Sequence, residues 1–237
     1  MSVNRFERTT LMLCAPPDAL MAENTALNGA LTVIADIRTD WATERATDEV
    51  QSVLARRQAT AGYTLLRVGR PDGETGQHAL ERLAALRPDG FVLSGCGGVA
   101  DIQAFDVMLR VTEAEHGIEA GSIALVAEVG ENAAFVLSAL PLKDVSRRLA
   151  AIVFDGASLT QATASQTFNT AASRAGAPLL LARATAVITA RQAGLPCYEL
   201  LQENTHGDPQ TARDIALADG FSGVIARNAA QLAALRA

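Results

Sequence analysis

Residues Ile123–Phe135 read IALVAEVGENAAF. Ile123 to Ala127 is an unbroken apolar run, the pattern of a short parallel strand buried on both faces, where no polar alternation is expected. It delivers one carboxylate, Glu128, into a loop that opens the next helix. In barrels of alternating strands and helices, that exit is where chemistry sits. Taken alone, Glu128 reads as a solvated loop acid or a charge favoured by the helix dipole. A functional reading gains weight because other strands of this chain end in the same way.

Working outward, the unit repeats. Thr10 to Cys14 is an apolar run ended by Pro16 and Pro17, followed by helical spacing from Asp18 to Leu27. Leu31 to Ala35 ends in Asp36, before a helix over Thr47 to Arg57. Tyr63 to Leu66 leads into Arg67, a Gly/Pro-rich loop and a helix through Leu80, Leu83 and Leu86. Phe91 to Leu93 leads into SGCGG and a helix from Val99 to Glu115. After Glu128 come a helix over Ala133 to Leu140, a strand from Leu149 to Phe154 ending in Asp155, and one or two helices across 159–193, broken at Ala175 to Pro178. A strand at Cys197 to Leu201 carrying Glu199, a helix over Thr211 to Ala218, a strand from Gly220 to Ala226 and a helix from Ala229 to Arg236 complete the chain. Eight strands alternating with helices predict an α/β fold, a (β/α)8 TIM barrel in a single domain over 1–237, with an open doubly wound sheet as the competing architecture.

Composition narrows the partners. The 237 residues include 49% hydrophobic, 19% charged and 4% aromatic side chains, which suits aliphatic strands under helices and argues against disorder. Twenty basic against 26 acidic residues give a net charge of −6 with no basic block, which disfavours nucleic acid. No apolar run reaches the roughly 18 residues of a membrane span. Cys14, Cys96 and Cys197 are scattered and odd in number, the pattern of free thiols in a reducing cytoplasm.

The strand exits supply Asp36, Arg67, Glu128, Asp155, Glu199 and Asn228, which a barrel brings to one mouth. Gathered carboxylates there serve either a hard divalent cation or proton transfer, and an arginine among them clamps a carboxylate or steadies an enolate. An ion-pair network that only holds the barrel top together is the structural alternative. His78, His116 and His206 lie in polar settings without metal-like spacing. No Gly-x-Gly-x-x-Gly follows the first strand and no Gly-x-Ser-x-Gly elbow is present. Ser94 to Gly98 reads as a tight turn that could alternatively admit a phosphate.

These motifs, in this order, resemble the citrate lyase β-subunit-like branch of the HpcH/HpaI aldolase family. Asp36-Ile37-Arg38-Thr39 stands where the family has Asp-Leu-Glu-Asp, Arg67-Val68-Gly69 where it has Arg-Val-Asn, and Glu128 where it has a metal-binding Glu. Ala190 to Tyr198 (ARQAGLPCY) and Gly220-Phe221-Ser222-Gly223 match its approaches to the seventh and eighth strands, with Glu199 where an Asp is usual. The resemblance implies a homo-oligomeric barrel that binds Mg2+ and makes or breaks a carbon–carbon bond beside a carboxylate in a small oxo acid or acyl-CoA. Glu128 would be a metal ligand, and Arg67 with Asp36 would be catalytic, Arg67 at the enolate.

Departures are equally specific. Ser158 stands where the family's second metal ligand, an Asp, belongs, so Asp155 is the substitute. Ser94-Gly95 replaces a Pro-Lys and Arg227-Asn228 a His-Pro, and the C-terminal lid domain of larger relatives is expected to be absent. Three functions follow: a divergent lyase, a catalytically degenerate barrel serving as a binding or assembly partner, and a metal-independent barrel using the SGCGG loop for phosphate.

Overall fold

The structure, a computed structural model, describes residues 6, 9–22, 32–57, 62–137, 141–163, 176–203 and 208–237. The order is β1 (Leu11–Ala15), α1 (Pro17–Ala22), β2 (Thr32–Asp36), α2 (Glu44–Arg57), β3 (Thr64–Val68), α3 (Gly73–Ala85), β4 (Gly90–Leu93), α4 (Val99–Glu115), β5 (Ala124–Val129), α5 (Ala133–Leu137), β6 (Leu149–Phe154), α6 (Gly156–Ala162), α7 (Ala177–Gln192), β7 (Cys197–Leu200), α8 (Pro209–Ala218), β8 (Gly223–Ala226) and α9 (Ala229–Arg236). Each strand pairs parallel with the next, and β8 closes onto β1 through Leu11 opposite Val224. The fold is therefore the (β/α)8 barrel, and that closure rules out the open sheet. No helix among the described residues is long and apolar enough to cross a membrane.

Three strands extend further than their apolar runs. β2, β3 and β5 include Asp36, Arg67 and Glu128, so Glu128 belongs to a strand and not to the loop after it. The strands continue because these charges neutralise one another inside the barrel. α6 begins at Gly156, ahead of the helix expected from 159, because the Asp155 carboxylate caps it by accepting the N–H groups of Ala157 and Ser158, each at 3.1 Å. Leu31, residues 23–27, 138–140 and 164–175, and His206, all given a role above, lie outside the described residues.

Two apolar shells follow from the two-residue period of a strand. Met12, Cys14, Ile34, Leu65, Val92, Val126, Val153, Tyr198 and Ile225 fill the barrel interior. Their neighbours Leu13, Val33, Leu66, Phe91, Leu125, Ile152 and Val224 face outward and pack under Val50, Leu80, Leu83, Phe105 and Leu109 of the helices. Phe6 closes the end where the strands begin: its ring stands edge-on to Tyr63 at 5.5 Å, and its carbonyl accepts the Tyr198 hydroxyl at 2.6 Å.

A buried ion pair fixes this same end. Arg148 grips Glu113 with two N–H groups at 2.8 and 2.9 Å and donates to the Ile123 carbonyl. Glu113 also accepts the N–H groups of Gly121 and Ile123, tying α4 to the start of β5. Burial works against ionisation of Glu113, but the Arg148 bonds and the two backbone N–H groups outweigh it and hold the carboxyl below its ordinary 4.5. A native value below the unfolded one gives stability that is complete above pH 4.5 and lost as pH falls through the native value. Urea unfolding at descending pH is expected to show this loss, with a shallower fall in Glu113→Gln; parallel curves would contradict it. Arg148→Ala, which leaves Glu113 buried without its counter-ion, is expected to cost about 3–5 kcal/mol at neutral pH.

Candidate active site

The same two-residue period that builds the inner shell aims the charges. Counting two residues on from the last inner apolar side chain gives Asp36 after Ile34, Arg67 after Leu65, Glu128 after Val126, Asp155 after Val153 and Arg227 after Ile225. All five point into the barrel at the end where the strands finish.

Arg67 is the centre of the group, with only 1% of its surface exposed. Its Nε and Nη2 donate to the two oxygens of Glu128 at 2.6 and 2.7 Å, Nη1 donates to Asp36 Oδ2 at 2.7 Å, and Nη2 donates to Asp155 Oδ2 at 2.8 Å. Four of the five N–H groups of a guanidinium are thus committed. Asp155 Oδ2 also accepts the Ser158 hydroxyl at 2.9 Å and Arg227 Nη2 at 3.0 Å. Asp36 is the open member. Its side chain is 16% exposed and lines a cleft of about 260 Å³ with Pro16, Arg38, Asp40 and Arg45. Gly130 makes the arrangement sterically feasible: at φ 138° it lies so close to β6 that a Cβ there would fall 2.1 Å from the Asp155 carbonyl oxygen.

The two buried acids are driven in opposite directions. At Glu128 burial dominates and, aided by the like charge of Asp155, pushes the carboxyl above the ordinary glutamate value despite the Arg67 fork. At Asp155 burial is also the largest influence, but Arg227, the Ser158 N–H, Arg67 and the Ser158 hydroxyl together overcome it and hold the carboxyl below 3.8. Burial likewise pushes the Cys14 thiol, also on the inner face, up to about 12, which leaves it unreactive. The three cysteines are free, as expected, and all three are buried.

Whether this donor set fits a divalent cation is decided by its free oxygens. A hard cation takes about six oxygen ligands, with one or two carboxylates in a magnesium site. Asp155 already accepts five hydrogen bonds on its two oxygens, more than the roughly four lone-pair positions of a carboxylate. Both oxygens of the buried Glu128 face Arg67. A divalent ion about 4 Å from a guanidinium would meet about 8 kcal/mol of repulsion at an effective dielectric constant of 20. Among the described residues, no three His, Cys, Asp or Glu side chains are grouped to hold a metal ion. As arranged, Glu128 and Asp155 do not fit Mg2+.

Other expected members go elsewhere. Glu199 has the parity of Cys197, which belongs to the outer shell, and so meets Arg183 of α7 behind the sheet; Arg183 also bonds Asp219 at 2.7 Å and lies 5.0 Å from the Phe221 ring centroid. Asn228 caps α9 by accepting the Gln231 N–H. The SGCGG loop is a turn whose Gly97 N–H is taken by Asp101 at 2.7 Å and whose Ser94 hydroxyl donates to Glu131, so carboxylates stand where a phosphate would bind. His78 and His116 are exposed. Arg227 is the residue that the strand-exit pattern missed, although its spacing from Ile225 carried the signal. Since Arg67 neutralises two buried acids at once, Arg67→Met is expected to cost about 3–5 kcal/mol in urea unfolding. Adding Glu128→Gln should recover part of that loss, and a simple sum of the two effects would show that the pair is not coupled.

The family model described as HpcH/HpaI aldolase/citrate lyase matches residues 10–229. Comparison with curated protein sequences gives no match. Among solved structures, the chain is similar to RipC from Yersinia pestis at 20% identity and a TM-score of 0.69, covering 97% of this chain and 94% of that one. It is similar to the lead(II) complex of Haloferax volcanii malate synthase at 17% identity and a TM-score of 0.74, covering 97% and 72%. It is also similar to the citrate lyase beta subunit from M. tuberculosis, complexed with oxaloacetate and magnesium, at 18% identity and a TM-score of 0.68, covering 98% and 97%. At such identities the likeness speaks for the fold. With the barrel, the cluster at its mouth and a family match over nearly its whole length, the chain belongs to the HpcH/HpaI aldolase/citrate lyase family.

Proposed function

We propose that this barrel is a carbon–carbon lyase of the aldol or Claisen type, acting beside a carboxylate in a small oxo or hydroxy acid or its CoA thioester. The observation that carries the proposal is the single bonded cluster of Asp36, Arg67, Glu128, Asp155 and Arg227 at the mouth of the barrel, the end where such folds do chemistry. Family membership supports it. So does likeness to structures described with oxaloacetate and magnesium, and with magnesium, acetoacetate and coenzyme A. Activity belongs to the site and not to the barrel, so the residues must bear the argument.

In the cleavage direction, a base removes the hydroxyl proton, the pair of the breaking carbon–carbon bond passes into an enolate, and that carbon then takes up a proton. Asp36 is assigned the proton transfer, because it is the acid of the cluster that opens onto a cleft. Arg67 is assigned the enolate charge, as a fixed guanidinium in a water-poor setting. Glu128 and Asp155 hold Arg67 in position. A magnesium ion on these two acids would require both arginines to withdraw from them, and no step here is routed through it.

One observation favours a binding or assembly barrel instead: Ser158, where the family has a ligand Asp, donates its hydroxyl to Asp155 and seals the cluster. Association between copies of the chain would cover Leu180, Leu181 and Ile188 of α7, which are 50%, 60% and 67% exposed. The two functions separate in a turnover assay with a 4-hydroxy-2-oxo acid, malyl-CoA and citramalyl-CoA. The lyase is expected to release product from at least one of them, at a rate reduced about 100-fold or more in Asp36→Asn. Absence of turnover with all three ends the lyase proposal and leaves the binding barrel.

A further inference from the structure

We infer that Arg227 takes the place of a divalent cation in this mouth and that it anchors the carboxylate of a small anionic ligand directly, without metal. The inference concerns binding at the site proposed above, and it holds whether or not a bond is afterwards cleaved.

Arg227 is held from several sides. Its backbone N–H donates to Gln231 Oε1 at 2.8 Å, its Nε donates to the Leu201 carbonyl at 3.0 Å, and its Nη2 donates to Asp155 Oδ2 at 3.0 Å. Gln231 is itself fixed by donating to the Gln202 carbonyl at 2.7 Å. The guanidinium is therefore oriented before any ligand arrives. Its side chain is 9% exposed. Two N–H groups on Nη1 and one on Nη2 make no hydrogen bond among the described residues. No buried side-chain nitrogen there lacks a partner. Nη1 therefore keeps contact with solvent, and for an inward side chain at this end of β8 we place that contact at the mouth.

The charge is available as well as the donors. Asp155, the carboxylate that Arg227 contacts, is already held by Arg67, Ser158 and two backbone N–H groups. One guanidinium in the cluster thus serves the three acids from within, and the second presents an outer edge. A planar, permanently charged donor of this kind matches a carboxylate. The same edge repels a cation, in keeping with the saturated oxygens of Asp155. What a metal does for an oxo acid by bonding its oxygens, Arg227 does by donating hydrogen bonds to them.

Calorimetry with pyruvate and oxaloacetate, first in EDTA and then in excess Mg2+, tests the inference. The expected result is binding of at least one acid with dissociation constants that agree within about twofold in the two buffers, weakened about tenfold or more in Arg227→Gln. If Arg227→Gln does not fold by circular dichroism, Arg227→Lys decides: several-fold weaker, EDTA-resistant binding supports the inference, and unchanged affinity overturns it. Binding seen only with Mg2+, heat from Mg2+ alone that is lost in Glu128→Gln, or no binding of either acid in either buffer also overturns it. EDTA-resistant binding without turnover would end the lyase proposal while leaving this one standing.

Discussion

A guanidinium with almost no access to water sits at the mouth of the barrel, and three acids at the ends of three strands are arranged to keep it charged. Removing an ion of that kind from water is very unfavourable unless its hydrogen bonds are replaced. Arg67 meets the condition with four bonds to Asp36, Glu128 and Asp155. The dependence is mutual, since Glu128 and Asp155 are as deeply buried as the arginine that neutralises them. Much of the upper barrel follows from it: β5 runs past its apolar residues because Glu128 has a partner inside, and Gly130 has to be glycine because the β5 end passes against the Asp155 backbone.

Asp155 shows how local and tertiary demands coincide in one side chain. One oxygen caps α6 through two backbone N–H groups, while the other collects Arg67, Arg227 and the Ser158 hydroxyl. The cap orients the carboxylate before the ion pairs form, so the cluster is assembled on a rigid helix start and not on a free loop. The same bonds leave Asp155 and Glu128 without free oxygens for a hard cation. The remaining polarity of the site is the last N–H of Arg67, the outer edge of Arg227 and the partly open Asp36, features suited to an anion and to a proton.

Legibility in the sequence varied with how local the cause was. α4, β6 and α9 could be placed to the residue, because helical spacing and an apolar run are written in consecutive side chains. Asp36, Arg67, Glu128 and Asp155 were legible as a group because each follows an apolar run. Glu199 shared that signature and still left the group: its parity is that of the outer shell, and Arg183 and Phe221 behind the sheet give it a partner there. Arg227 was passed over for the neighbouring Asn228, although the step from Ile225 marks it as the inward residue. Tracking parity along each strand, in addition to its end, would have separated the two.

Taken by itself, the sequence determined the alternation of eight strands with helices, the family motifs and the identity of four of the charged residues that meet at one mouth. These are consequences of periodicity and of residue type, which act over a few positions. The pairing of β8 with β1 that closes the barrel is a tertiary fact. Only the tertiary structure decided which charges pair. The free energy of a buried ion depends on partners 31, 61 and 88 residues away in the chain and on how many bonds each oxygen already accepts. The saturation of Asp155, the withdrawal of Glu199 behind the sheet and the open edge of Arg227 are all decided at that range, where spacing along the chain carries no information about distance in space.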